Sequence, residues 1–297
     1  MQKILKILSV LGSFAVAAGP ANSQAVGQDV FPTTWDTSHA GAALSLTNYT
    51  LSFDDEFNTL DDGCYNWAKI GTHKWYTIKD GQDNFATDRC ANAATPSMKV
   101  SGGVLSITAA YVNGVWQSGT LMAVDPSSEG FQQTYGYFEA RIKLPSSIPA
   151  GLDIWPAFWA QGRYTLPGTA YNYPEIDVLE NWSAVGRGAN RVTIHQWPSK
   201  PANLTSLAAH RLASFATNKT PFDGQWHTYG VKMTPTLWII YTDGLESGRF
   251  PMITDMQKPI YPILDLSLFS APTAAHTASY TMSVDYVRVY TCPRAGC

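Results

Sequence analysis

The feature that most constrains this chain is a set of short runs in which apolar and polar residues alternate strictly, separated by glycine and proline. In the run Gly136 to Leu144, Phe138, Ala140, Ile142 and Leu144 share one face, and Tyr137, Glu139, Arg141 and Lys143 share the other. Gly103 to Thr108 and Met282 to Tyr290 are built in the same way. A period of two marks a half-buried strand, because successive side chains leave a strand on opposite faces. The 23 glycines and 18 prolines punctuate these runs as turn formers. Only residues 202–215 break the pattern, with Leu204, Leu207, Ala208, Leu212 and Phe215 near one face of a helix. Many strands and almost no helix predict an all-β fold, a two-sheet antiparallel β-sandwich.

The ends of the chain address its compartment. Lys3 and Lys6 precede an apolar run from Ile7 to Ala18, followed by small residues around Ala21 to Ala25. This is the pattern of a secretory signal peptide, and the run is shorter than the roughly 20 residues that a membrane span requires. The expected division is a signal peptide at 1–23, an N-terminal extension at 24–45 and one catalytic domain at 46–297, in a secreted protein (extracellular or periplasmic). Removing Lys3 and Lys6 takes the net charge from -3 to -5, which offers no basic field to a nucleic acid. No nucleic-acid or membrane partner is expected, and the protein is expected to be a monomer. The four cysteines, Cys64, Cys90, Cys292 and Cys297, fit an oxidising compartment. Three pairings are open, and the local ones, Cys64–Cys90 and Cys292–Cys297, close the shortest loops.

The chain has only six glutamates, and two of them flank an aspartate in Pro174-Glu175-Ile176-Asp177-Val178-Leu179-Glu180. Glu175 and Asp177 share a face on a regular strand, but Glu180, five positions from Glu175, points to the other. A β-bulge at Val178-Leu179 absorbs one residue and returns Glu180 to the face of its neighbours. Three carboxyls on one face suit glycosidic bond cleavage, which needs one ionised group and one protonated group side by side. Packing like charges together raises the pKa of at least one member. Glu175 is the expected nucleophile, Glu180 the acid/base and Asp177 the modulator between them. The spacing leaves retention and inversion both open.

These residues resemble the bulged signature of glycoside hydrolase family 16. Other stretches are similar to that family in the same order: Phe53 to Asn58, Phe131 to Arg141, Gly151 to Trp159, Trp226 to Val231 and Val284 to Tyr290. The resemblance implies a concanavalin A-like β-jelly roll with a concave substrate cleft. It also implies a retaining mechanism through a glycosyl-enzyme intermediate, with the first glutamate of the signature as nucleophile and the last as acid/base. Trp155 and Trp159, which share a strand face, are expected to line the cleft as sugar platforms, with core packing as the competing role of Trp159. His195 matches a cleft histidine of the family, and Trp182 and Trp197 are further substrate-binding candidates.

The segment Gly81 to Cys90 lacks the Asn-Glu-x-Gln-Tyr stretch of many laminarinase-like members, and the run Gln133 to Glu139 looks more like bacterial exopolysaccharide glycanases. The expected partner is therefore a polysaccharide: a β-glucan with β-1,3 or mixed β-1,3-1,4 linkages, or a bacterial exopolysaccharide. No cofactor is expected and no metal site is assigned. A structural Ca²⁺ drawing on Glu56 and Asp285 is conceivable but is not predicted. Motifs of serine hydrolases, zinc proteases and nucleotide-binding folds are absent. The sequons at Asn48, Asn181, Asn203 and Asn218 are read as chance matches. Two other functions compete: a transglycosylase on the same site, and a non-catalytic lectin-like sandwich.

Overall fold

The structure, a computed structural model, describes residues 35–63, 72–77, 87–88, 95–125, 129–162, 173–181, 189–197, 210–217 and 220–292, with 87–88 and 210–215 as backbone. Its strands are β1 (Thr50–Asp55), β2 (Thr87–Asp88), β3 (Met98–Ser101), β4 (Val104–Val112), β5 (Val115–Met122), β6 (Gly136–Lys143), β7 (Ile154–Gly162) and β8 (Tyr173–Glu180). They continue as β9 (Arg191–Trp197), β10 (His210–Ala216), β11 (Trp226–Met233), β12 (Leu237–Thr242), β13 (Leu245–Pro251), β14 (Ile260–Leu268) and β15 (Ser279–Thr291). One 3-10 turn, Thr254–Met256, is the only helical element among the described residues.

The alternation expected from sequence is realised as a curled, almost wholly antiparallel sheet that folds back on itself into two layers. One layer runs β10-β9-β8-β7-β14-β5 and the other β4-β15-β6-β11-β12-β13. Strand β5 joins them, since Val115 to Gln117 pair with β4 whereas Gly119 to Met122 pair with β14. The long β15 carries β4 along its first half and β1 along its second, with β6 on its opposite edge.

The core lies between the layers. Phe158 of β7, Ile176 of β8, Ile194 of β9 and Leu264 of β14 are fully buried, as are Phe138, Ala140 and Val231 of the other layer. Each of these side chains except that of Ala140 contributes about 1.5–3 kcal/mol relative to exposure. On β6 the expected outward residues Tyr137 and Glu139 are also buried. A second apolar cluster explains this, because Tyr137, Ile239 and Tyr241 are covered by Leu44, Leu46 and Tyr49 of the segment before β1. That segment bridges β13 at Asp36–Arg249 and Ala43–Leu245, and it accepts the Lys232 ammonium on the Ser45 carbonyl at 3.2 Å.

The helix expected within 202–215 is corrected over its described part. Residues 210–216 form β10, which pairs with β9 from His210–Gln196 to Ala216–Arg191. The spacing of Leu212 and Phe215 suits one helix face, but the backbone here pairs with β9, with a register shift between Arg211 and Ala213. Edge pairing to β9 overrides a weak local pattern. Residues 202–209 lie outside the described residues, as do the segment 1–34 with its signal-peptide reading, Cys64, Cys90, Cys297, Trp182 and the segment Gly81 to Ala86. Cys292 is disulfide-bonded.

Candidate active site

The bulge is present where the offset of five requires it. Against β7, Asp177 pairs with Trp159 and Leu179 with Phe158, so Val178 has no partner of its own. Against β9, Asp177 pairs with Thr193 and Glu180 with Arg191, three steps on one strand for two on the other. Val178 and Leu179 therefore both enter the core, at 1% and 0% exposure. Glu175, Asp177 and Glu180 emerge together on the opposite face. Asn190, just before β9, holds the bulge: its amide donates to the Val178 carbonyl at 2.8 Å and accepts from the Glu180 backbone N–H at 3.2 Å.

Strand pairing lays the site out in rows, because directly paired residues share a face. The first row is His195, Glu175, Gln161 and Tyr261. Here Tyr261 donates to the Gln161 carbonyl oxygen at 3.2 Å, which turns the amide nitrogen of Gln161 to donate to Glu175 at 2.7 Å. The second row is Thr193, Asp177 and Trp159. The third is Arg191, Glu180, Ala157 and Asp265. Glu180 accepts from the Trp155 indole N–H at 3.2 Å and from the Thr193 hydroxyl at 3.5 Å. Trp159 donates instead to Asp265 at 2.9 Å. His195 Nε2 stands 3.3 Å from Asp177 Oδ2 and 4.0 Å from Glu175 Oε1. Trp197 lies beside it, stacked with Tyr173 at 6.4 Å.

The trio is buried, and burial dominates its electrostatics. It pushes the Glu175 carboxyl up to about 8, with the Asp177 charge pushing the same way and His195 and the Gln161 amide opposing. The Trp197 indole also opposes by its proximity, although its N–H makes no hydrogen bond of good geometry. Burial holds Asp177 well above the usual carboxylate range, reinforced by Glu180 and Asp265. Glu180 is raised by burial too, against the pull of His195 and the Trp155 N–H. Three such groups cannot all ionise together, so the cluster retains protons near neutral pH. A proton on Asp177 removes the like charge beside Glu175 and lets Glu175 ionise.

Of the residues expected from sequence, Glu175, Asp177, Glu180, Trp155, His195 and Trp197 come together, and Trp159 adjoins them while also packing against the core. Glu175, Asp177 and His195 are the one group of three acidic or histidine side chains, among the described residues, close enough to share a cation, with donor atoms within 4.8 Å. Glu56 and Asp285 are instead matched by arginines: Arg288 grips Glu56 at 2.7 and 2.9 Å, and Arg141 reaches Asp285 at 2.5 Å. Asn181 itself is buried at 1% exposure, and its amide donates to the Ala189 carbonyl, so the nitrogen a glycan would occupy is already engaged inside the fold. Gln161, Asn190, Tyr261 and Asp265 were not singled out from the sequence. The signals available for two of them were weak: Gln161 continues the alternating face of Trp155 and Trp159, and Asp265 is the one acid in the apolar run Ile260 to Leu268. Phe269, 43% exposed and edge-on to Trp155 at 5.3 Å, adds a further ring beside the site.

No family model matches the chain. It is 30% identical to the endo-1,3-1,4-beta-glycanase EglC of Rhizobium meliloti, in an alignment that covers 87% of this chain and 56% of that protein. It is 28% identical to the endo-1,3-1,4-beta-glycanase ExsH of the same organism, over 83% of the chain and 53% of that protein. The chain thus spans about half the length of these curated relatives. Among solved structures, it superposes on SCLam, a non-specific endo-β-1,3(4)-glucanase of family GH16, with a TM-score of 0.58 at 22% identity, over 87% of this chain and 97% of the other. In sequence the chain is similar to these endo-1,3-1,4-beta-glycanases, and in fold it is similar to a solved β-glucanase of glycoside hydrolase family 16.

Proposed function

We propose that the chain is a secreted endo-β-glycanase that cleaves a β-1,3 or mixed β-1,3-1,4 glucan, or a bacterial exopolysaccharide, by double displacement with retention. The observation that carries this reading is the bulge at Val178-Leu179. It places Glu175 and Glu180 on one face with Asp177 between them, where a regular strand would bury Glu180. In the first step Glu175 attacks the anomeric carbon while Glu180 gives its proton to the departing glycosidic oxygen. Gln161 and His195 stabilise the Glu175 carboxylate before attack, and Asp177 takes up the proton that Glu175 must lose. Once Glu175 is esterified its charge is gone. Glu180, now ionised, removes a proton from water, which attacks the ester and restores Glu175. The Trp155 indole holds Glu180 through both steps. Relatives that carry the name endo-1,3-1,4-beta-glycanase support the substrate class.

The test is to incubate the purified protein with laminarin, lichenan, agarose, carrageenan and bacterial exopolysaccharides, and to follow the new reducing ends by NMR as they form. Oligosaccharides released first in the β-anomer are the expected result. A first-formed α-anomer refutes retention. Transfer to an added oligosaccharide acceptor in preference to water identifies a transglycosylase. Binding without any new reducing end identifies a lectin-like binder.

A further inference from the structure

Asp265 is a fourth carboxylate beside the trio, and the steps above give it no role. It sits on β14, 5% exposed, directly paired with Ala157 of β7. Ala157 is in turn directly paired with Glu180 of β8. Glu180 and Asp265 thus flank one alanine on one face, their Cα atoms two strand spacings or ~10 Å apart. Only the Ala157 methyl group lies between these two carboxyl-bearing residues in the row. Asp265 is also fixed in place: its Oδ1 accepts the Trp159 indole N–H at 2.9 Å, and its Oδ2 accepts the Ser267 hydroxyl.

We propose that Asp265 is a positioning residue of this site, which anchors Trp159 and presents a fixed negative charge across Ala157 that keeps the leaving-group proton on Glu180. The inference rests on the acid/base role proposed above for Glu180. Among the described residues, the charged and titratable groups around Glu180 are Glu175 and Asp177 on its own strand, Arg191 and His195 on β9, and Asp265 on β14. Strand β7 contributes only the neutral Trp155 N–H. Arg191 and His195 favour loss of the proton from Glu180, and burial and one negative group on the far side oppose them. Asp265 is that group, and it acts on Asp177 in the same sense. Retention of the proton sets the upper pH limit of the first step, because an ionised Glu180 cannot protonate the leaving oxygen.

The test is Asp265→Asn, with Asp265→Ala beside it. Asparagine has the same shape, still accepts from Trp159 through its oxygen and donates to Ser267 through its nitrogen, but it carries no charge. The expected result is a basic limb of the kcat/KM profile displaced to lower pH by about half to one unit in Asp265→Asn. Asp265→Ala should show the same displacement together with a raised KM, because Trp159 loses its acceptor. In parallel, carboxyl ¹³C titration of the glutamate-labelled protein without substrate should show the Glu180 midpoint lowered in Asp265→Asn. An unchanged limb and an unchanged midpoint overturn the inference, even if the variant loses activity equally at all pH values. If the wild-type protein cleaves no glycan, the functional reading fails, and the Glu180 midpoint still decides the electrostatic claim about Asp265.

Discussion

The side chain of Asn190 donates to the carbonyl of Val178 at 2.8 Å, and through its oxygen it accepts the backbone N–H of Glu180 two residues further on. A bulge leaves backbone groups without ladder partners. Here one buried amide satisfies both sides of the interruption. Asn190 is 1% exposed, so water cannot take its place.

Asn190→Ala should therefore loosen the bulge. Leaving a buried carbonyl and N–H unpaired costs about 1–3 kcal/mol each. The melting temperature should fall, and kcat should fall by more than the folded fraction explains, because Glu180 loses its fixed position. Calorimetry together with steady-state kinetics checks this. A variant that is less stable but fully active would show that Asn190 serves the fold alone.

Deleting Val178 tests the bulge more directly. The strand becomes regular, with Glu180 four positions from Glu175, still opposite Ala157 and on the face of Glu175 and Asp177. Activity should persist in the fraction that remains folded by circular dichroism. Loss of hydrolysis in that folded fraction would mean that the bulge does more than return Glu180 to this face.

The assignment of roles within the trio predicts the stereochemistry of chemical rescue. With an activated aryl β-glycoside, Glu175→Ala in azide should yield the α-glycosyl azide, since azide then attacks the free sugar from the side that Glu175 occupied. Glu180→Ala should lose about 10²–10⁴-fold on natural glycan, and in azide it should yield the β-product through the covalent intermediate. NMR of the azide products checks both. Exchange of the two outcomes would reverse the assignment.

Stability should depend on pH with a definite sign. The Glu175 carboxyl moves from its ordinary value of 4.5 to about 8 in the fold. Between these values the folded chain keeps a proton that the unfolded chain releases, so stability falls as pH rises. The contribution is fully present below about 4.5 and is lost through about 8; Asp177 and Glu180, also raised, act in the same direction. Thermal melts from pH 5 to 8 should decline, and Glu175→Gln should flatten the decline and be the more stable protein at pH 8. An equal slope in wild type and variant would show that Glu175 is not protonated in the fold.

The sequence by itself determined the strands of the sandwich. Alternation in Phe138, Ala140 and Ile142, or in Val192 and Ile194, reports which side chains must leave water, and that demand acts locally along a strand. It also determined that Glu180 needs a bulge, because an offset of five and a shared face are incompatible without one. What depends on partners distant in sequence was not legible. The spacing of residues 210–215 suited a helix, and only edge pairing with β9 made 210–216 a strand. Tyr137 and Glu139 read as outward residues and are buried by a segment some ninety positions earlier. Asn190, Gln161 and Asp265 enter the site through the order of strands β9-β8-β7-β14, which no local pattern encodes. Tertiary structure alone decided which polar groups surround the three carboxyls, and so which of them hold protons.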